Sequence, residues 1–120
     1  MSNLAFELKQ FTGTEQWYRH PLNQSMIFTD GVRHLMEKGA HGSGCFWFID
    51  IVATEGMALH KKEPFVTVEL DVHENETADL RMTDGNGKIL LARRVNYTDM
   101  EQGTWTVWLV NNTALLPSEY

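Results

Sequence analysis

Residues 65–72, Phe-Val-Thr-Val-Glu-Leu-Asp-Val, alternate without a break. Val66, Val68, Leu70 and Val72 fall on one side; Thr67, Glu69, Asp71 and the following His73 fall on the other. A period of two is that of a half-buried strand, and it sends the aliphatic set inward. Ala78, Leu80 and Met82 alternate with Asp79 and Arg81 in the same way. Asp84-Gly85-Asn86-Gly87 tolerates positive φ and reads as a hairpin turn into a third strand, residues 88–97. The phase of that strand breaks at Leu90-Leu91, which predicts a bulge. Residues 99–103 turn again. The fourth strand spans 104–110, with Trp105, Val107 and Leu109 on one face and Thr106, Trp108 and Val110 on the other. The tail after Asn111 reads as less regular.

The first half follows a different pattern. Residues 3–9 suit a short helix. Thr12-Gly-Thr-Glu15 fits a capping box and predicts a second short helix through Trp17 and Tyr18, stopped before Pro21. Met26-Ile-Phe28 is a short extended piece. Thr29 or Asp30 caps a helix with Val32, Leu35 and Met36 on one face and Gly39 at its end. Residues 45–53 suit a strand by composition and a helix by length. A helix is the expectation, with Phe48, Ile51 and Val52 on its inner face and Trp47 and Asp50 on its flank. The predicted fold is α+β, in one domain. N-terminal helices within about residues 1–56 pack on a four-stranded antiparallel β-meander over about residues 65–110. Val66, Val68, Leu70, Leu80, Val107 and Leu109 are expected to line a core against the helix at 45–55.

At 120 residues, 42% of them hydrophobic, the chain is long enough for one substantial core. Its net charge is −6, with ten of its acids after residue 60 against six Lys and Arg. That balance disfavours direct binding to nucleic acid or an anionic membrane and leaves room for a basic protein partner. One cysteine, Cys45, excludes an internal disulfide. The first residues lack a basic stretch followed by an apolar run. The longest apolar run, Cys45–Ile49, is far below the ~20 residues a membrane span requires. A cytoplasmic protein is the expectation, and homo-oligomers are compatible with it.

Few residues suggest chemistry. His34, His41 and Cys45, with His20 or His60, lack the tight paired spacing of structural zinc sites, so no metal or other cofactor is expected. Gly39-Ala-His-Gly-Ser-Gly44 resembles a phosphate-cradling loop but lacks the Lys-Ser/Thr of a P-loop. Cys45 opens an apolar run, as core thiols do, and no catalytic residue is assigned. Asp50, inside an apolar segment, needs a partner. Arg19, Arg33 and His20 are available, and a structural ion pair with Arg19 is expected. Trp17, Tyr18, Arg19 and His20 crowd residue types favoured at binding hot spots. Glu69, Asp71 and Asp79, with Glu74 and Glu76, mark an acidic patch on the sheet, partly offset by Arg81, Arg93 and Arg94, which suits either cross-strand pairing on a solvated face or docking of a basic partner; Trp108 is a further binding candidate.

Phe-Thr-Gly-Thr-Glu-Gln-Trp-Tyr-Arg-His-x-Leu-Asn at 11–23, Phe-Thr-Asp-Gly-Val at 28–32, and the aromatic-rich run with Asp50 and Ala53 at 46–53 resemble an uncharacterised family. It comprises small bacterial, phage and plasmid proteins described as a domain of unknown function. The likeness spans about residues 4–55. It departs at His41-Gly-Ser-Gly, where a shorter Gly-Ala-aromatic is usual. The resemblance carries no catalytic residues and implies only context: small, soluble and often encoded on mobile elements.

On mobile elements, a compact acidic protein without catalytic groups is expected to be a binding protein. The leading expectation is an inhibitor of host defence, anti-CRISPR-like, acting in the bacterial host cell by occluding a basic surface of a defence protein. The binding residues would be Trp17, Tyr18, Arg19, His20, Glu69, Asp71, Asp79 and Trp108. A binder of a small molecule or nucleotide signal, built from loop 39–44 with Arg19 and His20, is the alternative. A small enzyme ranks third.

Overall fold

A computed structural model describes residues 4–120. The start of the predicted first helix, residue 3, lies outside the described residues. The chain builds a seven-stranded sheet with helices against one face, so the fold is mixed α+β. The helices are α1 (Leu4–Leu8), α2 (Asp30–Lys38), α3 (Phe46–Ile51) and α4 (Met57–His60). A π-helical turn, Val52–Gly56, joins α3 to α4. The strands are β1 (Trp17–Arg19), β2 (Ile27–Thr29), β3 (Phe65–Val72), β4 (Ala78–Thr83), β5 (Ile89–Val95), β6 (Gly103–Val110) and β7 (Thr113–Leu115). They lie side by side in the order β1-β2-β7-β6-β3-β4-β5.

The alternating segments pair as their patterns require. In β3 and β4, Val68 lies opposite Met82 and Leu70 opposite Leu80. Val66, Val68, Leu70, Leu80, Val107 and Leu109 are all buried, packed with Phe48, Ile49 and Val52 of the helical layer. The inner face of α3 uses Ile49 where Ile51 was expected, because positions 45, 48, 49, 52 and 53 form one helical stripe. Gly56 sits close against the sheet. A Cβ there would stand 3.1 Å from Leu109 Cδ1, so the π-turn lies directly on β6. The register of β4 and β5 slips between Met82 and Thr83, which skips Leu90 and forms the expected bulge.

The four-stranded meander is corrected. β3, β4 and β5 run as consecutive hairpins, but β6 returns to pair with β3. The resulting order, 6-3-4-5, is a Greek key. β3 pairs along the whole of β6, and Trp105, Val107 and Leu109 are buried beside it. β5, with Arg93 and Arg94 and an exposed Ile89, is suited to an edge.

The helix expected through Trp17 and Tyr18 is instead strand β1, antiparallel to β2. Thr14 and Glu15 bond to Asp30 instead of closing a capping box. The backbone N–H of Glu15 donates to its carboxylate at 3.1 Å, and Asp30 N–H donates to the Thr14 hydroxyl at 3.0 Å. The tail is also more regular than expected. Asn111 and Asn112 both adopt left-handed φ, 52° and 59°, a two-residue hairpin turn into β7. β7 then pairs in parallel with β2, joining the N-terminal hairpin to the main sheet.

Candidate functional site

Strand alternation and register decide which side chains share a face. Directly opposed residues point the same way, and so do residues two apart. The register Trp17↔Thr29, Arg19↔Ile27, Ile27↔Thr113, Val110↔Thr113 and Trp108↔Thr67 continues through Glu69↔Arg81 and Asp71↔Asp79. Trp17, Arg19, Trp108, Glu69, Asp71 and Asp79 therefore all lie on the face opposite the helices. Trp17, Arg19 and Asp79 are exposed there, and Glu69, Asp71 and Trp108 are half-buried.

This open face has an aromatic end and a charged end. At the aromatic end, Phe65, Trp108 and Tyr120 meet edge to face, with centroids 5.2, 5.4 and 6.1 Å apart. A cleft of about 290 Å³ adjoins them, lined by Trp17, Val110, Leu115, Glu119 and Tyr120. At the charged end the carboxylates have partners. Glu69 accepts from Arg81 Nη2 at 2.6 Å. Asp79 stands 2.9 Å from His73 Nε2 and 3.9 Å from Arg94 Nη1. Asp71 accepts from the Thr104 hydroxyl at 3.3 Å. These pairs are open to solvent, where ion pairs contribute only about 0–1 kcal/mol.

Tyr18 and His20 face the other way. The Tyr18 hydroxyl donates to Asp30 Oδ1 at 2.8 Å, and Arg33 lies 4.6 Å over its ring. That hydroxyl, followed by the Glu15 N–H, holds the Asp30 carboxyl below its usual range. His20 is fully buried. Its Nδ1 accepts from Leu22 N–H at 3.1 Å and Asn23 N–H at 3.4 Å, so Nε2 carries the proton and donates to Asp50 Oδ1 at 3.0 Å. The partner of Asp50 is therefore His20, not Arg19. Once residues 17–19 are a strand, alternation puts Arg19 on the open face, where its Nη1 donates to Gln24 O at 2.5 Å. Both ring nitrogens of His20 are occupied in pinning the 20–23 loop, and Asn23 Nδ2 in turn donates to Ala53 O of the π-turn at 2.8 Å.

The glycine-rich loop is already filled. Ala40 and His41 have left-handed φ, 54° and 57°. Their N–H groups converge on the carboxylate of Glu101, at 2.9 and 3.2 Å. Such a nest binds anions, and the chain supplies its own. Loop 39–44, Arg19 and His20 thus do not form one phosphate cradle. Cys45 is buried, donates from Sγ to Leu35 O at 3.2 Å, and has its thiol pushed up to about 12 by burial, then by Glu101 and Asp99. His34 Nε2 lies 2.7 Å from Glu7. Among the described residues no group of three or more His, Cys, Asp and Glu is arranged to hold a metal ion, and no helix is long and apolar enough to cross a membrane.

Sequence reasoning missed Phe65, Tyr120 and Glu119 at the aromatic end and Glu101 in the loop. Phe65 opens a recognised strand, so its position one register from Trp108 was accessible in principle. The other three depend on contacts made far along the chain.

A model for a family of unknown function, DUF6876, matches residues 2–120. The chain belongs to that family. The match extends well past residues 4–55 and takes in the helical layer, the Greek key and β7 of this chain. No curated protein and no solved structure matches the chain significantly.

Proposed function

We propose that the chain is a non-catalytic binding protein whose working surface is the open face of the sheet. The observation that carries this reading is that six of the eight residues singled out for binding, Trp17, Arg19, Glu69, Asp71, Asp79 and Trp108, lie on that one face. Aromatic residues and arginine are over-represented among binding hot spots, and exposed carboxylates steer a cationic partner. The partner chemistry is a protein surface offering apolar side chains to the aromatic end and Lys or Arg to Glu69, Asp71 and Asp79. The mobile-element context implied by the sequence resemblance makes that partner a host defence protein in the bacterial cytoplasm, blocked by occlusion in the manner of an anti-CRISPR protein.

The test is phage plating on bacterial lawns that carry defined defence systems, with and without the protein expressed. Rescue of plating against at least one system is expected. The triple variant Glu69→Lys, Asp71→Lys, Asp79→Lys should remain folded and lose the rescue. Failure of the wild type to rescue plating against any system would sink the inhibitor reading. Undiminished rescue by the triple variant would remove the acidic face from it.

A further inference from the structure

The cleft at the aromatic end is small. About 290 Å³ lies just under the range of roughly 300–1,000 Å³ typical of small-molecule pockets. It is the size of one inserted side chain. Its lining has a definite character: Trp17 and Tyr120 contribute aromatic surface, Leu115 and Val110 aliphatic surface, and Thr113 a hydroxyl. Glu119 is the carboxylate, and among the described residues no Lys, Arg or His lines the cleft.

Both rings present surface to solvent. Trp17 is 57% exposed and Tyr120 73% exposed, although Tyr120 touches Phe65 and Trp108. Glu119 is fixed in place. Its Oε1 accepts from the Thr29 hydroxyl at 2.5 Å and from Leu116 N–H at 2.9 Å, and its Oε2 accepts from Gly31 N–H at 3.1 Å. A carboxylate offers about four acceptor positions, so Oε2 retains one. Held on three sides, it is a preorganised acceptor beside two solvent-facing aromatic rings.

We infer that this cleft receives an arginine side chain of the partner. The inference rests on the open face being the docking surface and names what enters it. A guanidinium is planar, stacks on aromatic faces and donates in plane to a carboxylate. An ammonium lacks the planar face, and an anion would meet Glu119. Arginine therefore suits the aromatic surface and the Glu119 carboxylate together. Insertion anchors the aromatic end while Glu69, Asp71 and Asp79 steer neighbouring cations.

The assay requires no partner protein. N-acetyl-arginine amide, N-acetyl-lysine amide and N-acetyl-citrulline amide are titrated into the full chain, and the four tryptophan indole N–H signals are followed by NMR. Citrulline matches arginine in shape and lacks its charge. The Trp17 signal should shift with arginine at a concentration about tenfold lower than with citrulline, from cation–π attraction and a charge-assisted hydrogen bond. Lysine should lie between them. Trp17→Leu, at an exposed position, should leave the fold intact and halve or abolish the response of neighbouring signals.

Glu119→Gln should collapse the preference for arginine over citrulline. If that variant unfolds, Tyr120→Leu should weaken arginine binding in its place. Equal responses to arginine and citrulline, or a Trp17 signal unmoved by all three, would overturn the inference. Failure here with intact phage rescue would remove the arginine site and keep the docking face. Success here without rescue would keep the site and remove the inhibitor reading.

Discussion

Replacing His20 with alanine should destabilise the fold far more than replacing Asp50, although the two form one pair. The ring is fully buried, whereas the Asp50 side chain is 42% exposed. Truncating His20 leaves the N–H groups of Leu22 and Asn23 without their acceptor and opens a hole beside Phe28. The lost polar contacts contribute about 1–3 kcal/mol. A vacated imidazole of roughly 60 Å³, at about 24 cal/mol per Å³, adds about 1.5 kcal/mol. The sum is about 2.5–4.5 kcal/mol, or a fall in Tm of about 10–20 °C for a domain of this size. Asp50→Ala removes one half-wet acceptor, and water replaces it at Nε2, so its cost is about 0.5–1.5 kcal/mol. Urea denaturation of both variants, read as a shift in midpoint at unchanged slope, measures the difference. An Asp50→Ala cost equal to that of His20→Ala would show that the ion pair, and not the pinned loop, is what His20 supplies.

Cys45 should resist alkylation in the native state at pH 8 and react once the chain is unfolded. Because its thiol is raised from about 9 to about 12, the unfolded chain ionises first, so its contribution to stability should be complete below pH 9 and decline as the pH climbs toward 12, read by denaturation at stepped pH. Tyr18→Phe should raise the Asp30 carboxyl back toward its ordinary value, visible in a carboxyl carbon titration. The depressed value stabilises the fold above the ordinary aspartate range, and that contribution is lost as pH falls through the folded value. Leu70→Ala should cost about 2–5 kcal/mol in the same urea experiment, since the residue is fully buried between β3 and the helical layer. Glu101→Ala should destabilise loop 39–44 and allow added sulfate to recover part of the loss, since the nest at Ala40 and His41 would then accept an external anion.

Much of the fold was legible from local chemistry. A period of two in residues 65–72, 78–82 and 104–110 encodes which side chains face the core, because alternation is a property of an extended chain whatever lies beside it. Turn residues encode their own φ, so Asp84–Gly87 marked its hairpin. Thr29 accepts from Val32 N–H as the N-cap of α2, as its hydroxyl ahead of an amphipathic stripe suggested. The residues of the candidate site were legible by type: Trp17, Arg19, Glu69, Asp71, Asp79 and Trp108 stood out before any contact between them was known.

Their meeting on one face was not legible. Alternation assigns faces but not neighbours, and it does not say that β6 lies beside β3 rather than β5. Trp17 reaches that face because residues 17–19 pair with β2 as a strand, and Asp30, just beyond β2, ties down the 14–15 turn by accepting from Glu15 N–H and donating to the Thr14 hydroxyl. The same event separates Arg19 from Asp50 and gives Asp50 to His20. Glu101 in the 39–44 nest and Glu119 at α2 are contacts across 60 and 88 residues or more. Carboxylates so remote in the chain find those N–H groups only after the sheet has brought the segments together. Local sequence sets each segment's conformation and inner face. Assembly of the sheet sets which segments adjoin, and with them the binding face.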